Sequence, residues 1–160
     1  MPVVWGNHNN SDIYLNVGIL DASTFSLAGP ISATPIAAPT MFRALIDTGA
    51  QKTMISPNVI NTLNLPPLGK ILIGGVGPQA HYHNAYLFYV AFVMAVLQPG
   101  QTTIMPGQQM TAVVNISGNP IYGAEIPAAA TGGQFDVLLG MDILSTGCLV
   151  VGSGIYSFAW

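Results

Sequence analysis

Glycine and proline punctuate this chain so often that a long helix has nowhere to form. Eighteen glycines and twelve prolines are spread through 160 residues, and the segments between them are short, apolar and rich in β-branched and aromatic side chains. Such segments read as strands bounded by turns. From Ile13 to Leu20 apolar residues alternate, with Ile13, Leu15, Val17 and Ile19 on one face. Met41 to Ile46 reads as a second strand, Thr53 to Ser56 as a third, and Lys70 to Pro78 as a strand entering a glycine turn. A long strand follows from about His81 to Leu97, then strands at Met110–Ile116 and Phe135–Leu139 and one or two more over Leu149–Trp160. Ser56-Pro57 has the form of a helix start, Ser as N-cap and Pro at the first helical position. That helix would bury Val59, Ile60 and Leu63 and end at Pro66-Pro67. A second short helix is expected over Gly140–Thr146, stopped by Gly147. Asp21–Thr40, Gln98–Gln109 and Gly118–Gln134 read as loops. The expectation is a mainly β chain forming one domain over residues 1–160.

Composition narrows the functions open to it. Hydrophobic residues make up 51% of the chain and charged residues 6%, against about 25% charged in ordinary soluble domains, so disorder is excluded. Three Lys and Arg against six Asp and Glu cannot make a phosphate-tracking surface, which argues against a nucleic-acid partner. So few charges suggest that part of the surface is covered by a partner. The longest apolar run, Ala85–Leu97, is shorter than the roughly 18 residues that a membrane-spanning helix needs, and no signal-peptide pattern opens the chain. No integral membrane segment is therefore expected. A single cysteine, Cys148, rules out an internal disulfide framework.

Few side chains can do chemistry near neutrality. Asp47 ends the apolar strand Ala44-Leu45-Ile46 and is followed by Thr48-Gly49-Ala50, a turn suited to presenting a carboxylate. Downstream, Phe135-Asp136-Val137-Leu138-Leu139-Gly140-Met141-Asp142 carries a second apolar strand ending in glycine. Between them lies Ile71-Leu72-Ile73-Gly74-Gly75-Val76-Gly77. In this order the three segments resemble the retropepsin-like aspartic proteases, over about Met41 to Trp160. The resemblance implies a single-domain closed β-barrel with one or two short helices. It also implies that Asp47 is the catalytic carboxylate, in an active-site loop with Thr48, Gly49 and Ala50. Thr48 would bond across to a mate's loop, and Gly49 would offer its carbonyl to substrate. Ala50 stands where many pepsin-like relatives have a serine. Ile73, Gly74, Gly75, Val76 and Gly77 correspond to the flap that closes over a peptide, and Leu138 to a wall of its site. Retroviral members often pair an Asp after this turn with an Arg after the later glycine; here those positions hold Gln51 and Met141.

Aspartic proteolysis uses two carboxylates about one water, yet this chain has one Asp-Thr-Gly. A second Asp47 is expected from another copy across a two-fold axis, giving a homodimeric peptidase that needs no cofactor. The competing reading is a barrel of the same family without turnover, serving as a binding or assembly module. His81 and His83 share one face of a strand and raise the question of a metal site; without a nearby acidic ligand, none is expected. Cys148 is read as a buried thiol, Asp142 as support for the first turn of its helix, and Tyr82 as a possible subsite residue. Ile155, Tyr156, Phe158 and Trp160 suggest a terminus buried in a dimer sheet.

Overall fold

The structure, a computed structural model, describes residues 3–8, 12–23, 39–74, 80–96, 111–116 and 119–159. A ring of six strands closes on itself. Its members are β2 (Tyr14–Asp21), β3 (Thr40–Ile46), β9 (Val137–Leu139), β4 (Met54–Ile55), β8 (Ile121–Glu125) and β6 (Ala80–Val96), with β6 pairing back onto β2. Closure removes the open edges that a flat sheet would expose. The long strand β6 makes this possible by changing partner along its length. It pairs in turn with β5 (Gly69–Gly74), β8, β2 and β7 (Thr111–Ile116). Its alternate residues Tyr86, Phe88, Val90 and Phe92 fill the barrel, facing Val17, Phe42, Ala44 and Leu139 from the other walls.

Helix α1 (Pro57–Leu63) starts as its sequence predicts. Ser56 has extended backbone angles and its hydroxyl accepts from the Val59 N–H, while Pro57 opens the helix. It ends before Pro66, because Asn64 adopts a left-handed conformation (φ 50°) and caps it. Val59 is buried, and Ile60 and Leu63 pack against the core from its edge.

Three expectations are corrected. The stretch Gly118–Gln134, read as loop, contains β8 and the short helix α2 (Ala128–Thr131). Strand β8 has a glycine at its centre and little periodicity. It becomes a strand because it is paired on both sides, by β4 and by β6. Gly123 is required there, since a Cβ would sit 2.6 Å from the Phe88 ring and 2.7 Å from the Thr53 carbonyl. The second correction concerns the C-terminus. Strand β11 (Ile155–Ala159) lies between β1 (Val3–Asn7) and β10 (Cys148–Gly152) of its own chain. Its inward residues Tyr156 and Phe158 are buried in the chain's own core, with the Phe158 ring 5.8 Å from that of Phe92. Third, Cys148 is exposed rather than buried, at the start of β10.

Candidate active site

Asp47 is placed by the two strands beside it. As β3 runs out, the Ile46 N–H donates to the Ile13 carbonyl (2.9 Å) and the Asp47 N–H to the Leu139 carbonyl (3.0 Å). The chain then turns on itself: the Gly49 N–H donates to Asp47 Oδ1 (2.8 Å) and the Ala50 N–H to the Asp47 carbonyl (3.2 Å). This is an Asx-type turn, in which the side chain satisfies the backbone two residues on. Gly49 suits it because a Cβ would lie 3.2 Å from Asp47 Oδ1. Asp47 is left half-buried, with Thr48 and Gly49 exposed beside it.

One short segment braces the whole turn from behind. Leu139 ends β9, Gly140 follows, and helix α3 (Met141–Leu144) begins. The Met141 N–H donates to the Ala50 carbonyl (2.8 Å) and the Asp142 N–H to the Gln51 carbonyl (3.3 Å). Gly140 passes so close to Lys52 that a Cβ would stand 2.5 Å from its carbonyl carbon. Asp142, read as a support for its own helix, reaches across to Thr53 instead. Its carboxylate accepts from the Thr53 N–H at 2.9 and 3.0 Å and from the Thr53 hydroxyl at 2.6 Å. Thr53 is fully buried, and its hydroxyl oxygen also accepts from the Gly140 N–H (3.1 Å). Gln51 and Met141 hold the positions of the retroviral ion pair; here Thr53 and Asp142 link the two segments.

The face beside Asp47 is an apolar row. Leu45 pairs with Leu138 on β9, and Leu138 with Met54 on β4. All three are half-buried, whereas their neighbours Ala44, Ile46, Val137, Leu139 and Ile55 point into the core. Leu138 was anticipated; Leu45 and Met54 were not. The alternation of β3 could have found Leu45, since a residue two before Asp47 on a strand shares its side.

Of the expected flap, Ile73 and Gly74 end β5 opposite His81 and Ala80. Ile73 is half-buried and Gly74 exposed, with open space where its side chain would be. Gly75, Val76 and Gly77 lie outside the described residues. On the same hairpin Leu72 and Tyr82 form an exposed cross-strand pair. His83 Nδ1 lies 3.0 Å from the Glu125 carbonyl oxygen, and no group of three potential metal ligands gathers among the described residues. Glu125 also accepts from the Asn84 side chain and the Tyr86 hydroxyl. Burial, then the Glu125 charge, raises the Tyr86 phenol above its ordinary range, so Tyr86 stays a donor.

No curated protein sequence matches the chain. A crystal structure of a retropepsin-like aspartic protease from Rickettsia conorii is similar in fold, with a TM-score of 0.54 at 11% identity, covering 99% of this chain and 91% of that one. The family model for aspartyl proteases matches residues 38–143, a span that takes in the Asp47 turn, strands β5 and β6 and the start of the bracing segment's helix. This chain belongs to the aspartyl protease family, and its closed barrel is of the retropepsin-like kind.

Proposed function

We propose that the protein is an aspartic endopeptidase whose working unit is a pair of Asp47 carboxylates, one from each subunit of a homodimer. The observation that carries this reading is the braced turn, which holds one carboxylate at the end of a strand beside a half-buried apolar row. Asp47 Oδ1 accepts from the Gly49 N–H, which orients the carboxylate, and its remaining lone pairs would take the water. With one proton shared between the pair, the ionised carboxylate removes a proton from water as its oxygen attacks the peptide carbonyl carbon. The protonated carboxyl donates to the carbonyl oxygen. Collapse of the tetrahedral diol breaks the C–N bond as the amine nitrogen takes a proton from one carboxyl and a diol hydroxyl gives one to the other, which restores the single shared proton; no covalent enzyme intermediate forms.

Leu45, Leu138 and Met54 would contact side chains next to the cleaved bond and favour apolar ones. Ile73, Gly74, Gly75, Val76 and Gly77 would close over the peptide, excluding bulk water. Thr48 would tie the two loops together, with Gly49 and Ala50 shaping the turn.

The test is digestion of a peptide library read by mass spectrometry, alongside solution mass as a function of concentration. Cleavage beside apolar residues is expected, blocked by a statine-type inhibitor and reduced at least a thousandfold, on the order of a lost catalytic group, by Asp47→Asn. Undiminished cleavage by that variant, or full activity from a monomer, overturns the mechanism. Inhibitor binding without any cleavage would favour the non-catalytic barrel.

A further inference from the structure

The side of β3 that carries Leu45 also carries Arg43. Strand alternation sends Phe42, Ala44 and Ile46 into the core and leaves Arg43, Leu45 and then Asp47 on the opposite side. The row Met54–Leu138–Leu45 continues one strand further, to Tyr14, which pairs directly with Leu45 on β2. There its character changes. The Arg43 guanidinium lies over the Tyr14 ring, 4.0 Å from its centroid. Arg43 and Tyr14, with Asn7, His8 and Asp12, line an open pocket of about 380 Å³.

The walls of this pocket are fixed from outside it. The His8 N–H donates to the Gly154 carbonyl (2.9 Å), and the Asp136 N–H to the Arg43 carbonyl (2.8 Å). The Tyr14 hydroxyl donates to Gln134 Oε1 (3.2 Å), and the Tyr14 carbonyl accepts from the Tyr156 hydroxyl (3.0 Å). Contact with the ring face holds the guanidinium at the pocket wall.

We infer that this pocket is a distal subsite of the substrate cleft, selecting a carboxylate side chain on the peptide, with Arg43 as the donor. This inference rests on the protease reading above. At about 3.3 Å per residue, Arg43 stands roughly 13 Å along β3 from Asp47, the rise of about four residues of an extended peptide. A side chain three to five residues from the cleaved bond therefore reaches the pocket. Planar, two-pronged donation from guanidinium to carboxylate is the strongest match that the residues offer. A lysine at the same position of the substrate would meet the like charge of Arg43.

The test uses peptides sharing one cleavable apolar core and differing only at the positions three to five residues away, where Glu, Gln, Leu or Lys is placed in turn. For the wild-type protein, Glu is expected to exceed Lys about tenfold in kcat/KM at one of these positions, a difference of about 1.4 kcal/mol, with Gln between. Arg43→Ala should bring the four peptides to within about twofold, and Arg43→Glu should put Lys first. The Arg43 side chain is exposed, so both variants are expected to fold, which their unfolding midpoints check. Cleavage without preference at these positions, or a Glu preference unchanged in Arg43→Ala, overturns the subsite while leaving the protease reading intact. Failure to cleave any peptide counts against the protease reading instead. Binding of the same panel to the Asp47→Asn protein, by fluorescence polarisation, then decides the pocket: equal affinity for Glu and Lys peptides overturns it.

Discussion

The turn at Asp47 and the small terminal sheet are held by opposite means. The turn buries little: Thr48, Gly49, Gln51 and Lys52 are exposed, and its shape comes from hydrogen bonds. Leu139, Gly140, Met141 and Asp142 each contribute one or more to residues 47–53. The terminal sheet has ordinary ladder bonds, but it is fastened to the barrel by Tyr156 and Phe158, both buried. Hydrogen bonds contribute modestly to net stability, about 0.5–1.5 kcal/mol each, but are directional. Apolar burial is worth about 25 cal/mol per Å² and is indifferent to direction. Apolar burial thus fastens the terminal sheet and directional bonds shape the Asp47 turn, the proposed catalytic loop, so damage to the two should read out differently.

The largest expected effect is on stability alone. Phe158→Ala removes a buried ring from between the terminal sheet and Phe92, and should cost about 3–5 kcal/mol in denaturant unfolding. On the proposed function, peptide cleavage per folded protein should change far less. A loss below about 1 kcal/mol, the size of a minor contact, would mean that the sheet is not fastened by this ring. Asp142→Ala is the converse case. It strips the buried Thr53 N–H and hydroxyl of their side-chain acceptor, a loss of about 1.5–3 kcal/mol, and frees one side of the Asp47 turn. We expect kcat to fall by more than that stability loss explains, with KM little changed. Asp142→Asn, whose Oδ1 can still accept both Thr53 bonds, should recover much of the rate. Equal kcat in wild type and Asp142→Ala would show that the brace is dispensable.

The same contrast explains what was legible in the sequence. The Asp47 turn and Gly140 could be read because directional, close-packed geometry restricts residue type: a Cβ at position 140 collides with Lys52. The Ser56-Pro57 start was readable because a helix cap is a local event. The partner of Asp142 was not, since a carboxylate near a helix start serves equally well across a barrel, and only the packing of β4 beside β9 brings Thr53 to it. Strand β8 was hidden for a related reason. Ile121-Tyr122-Gly123-Ala124-Glu125 has weak strand character by itself, and its conformation is imposed by two neighbours distant in sequence. Strand β1 and the self-pairing of β11 were missed because apolar terminal residues look alike whether a chain covers them itself or leaves them to a partner. Trp5 and Ile155 remain exposed on that sheet, while Tyr156 and Phe158 do not.

The smallest effect expected lies where the terminal sheet meets β2. The Tyr156 hydroxyl donates to the Tyr14 carbonyl (3.0 Å), joining the terminal sheet to the strand beside the Arg43 pocket. Tyr156→Phe keeps the ring and removes this bond, so a loss of about 1 kcal/mol is expected, well below that of Phe158→Ala. Burial raises the Tyr156 phenol above its ordinary value of 10.0, which fixes the sign of its pH dependence. The folded state holds this proton more tightly than the unfolded chain. Its contribution is therefore complete below pH 10 and is lost as pH rises from there through the folded-state value. In alkaline titrations of stability, wild type should lose more than Tyr156→Phe above pH 10, so that the gap between the two narrows. A gap that widens with pH would mean that the phenol is not held in its neutral form, and that the sheet is joined to the barrel at this point by ring packing alone.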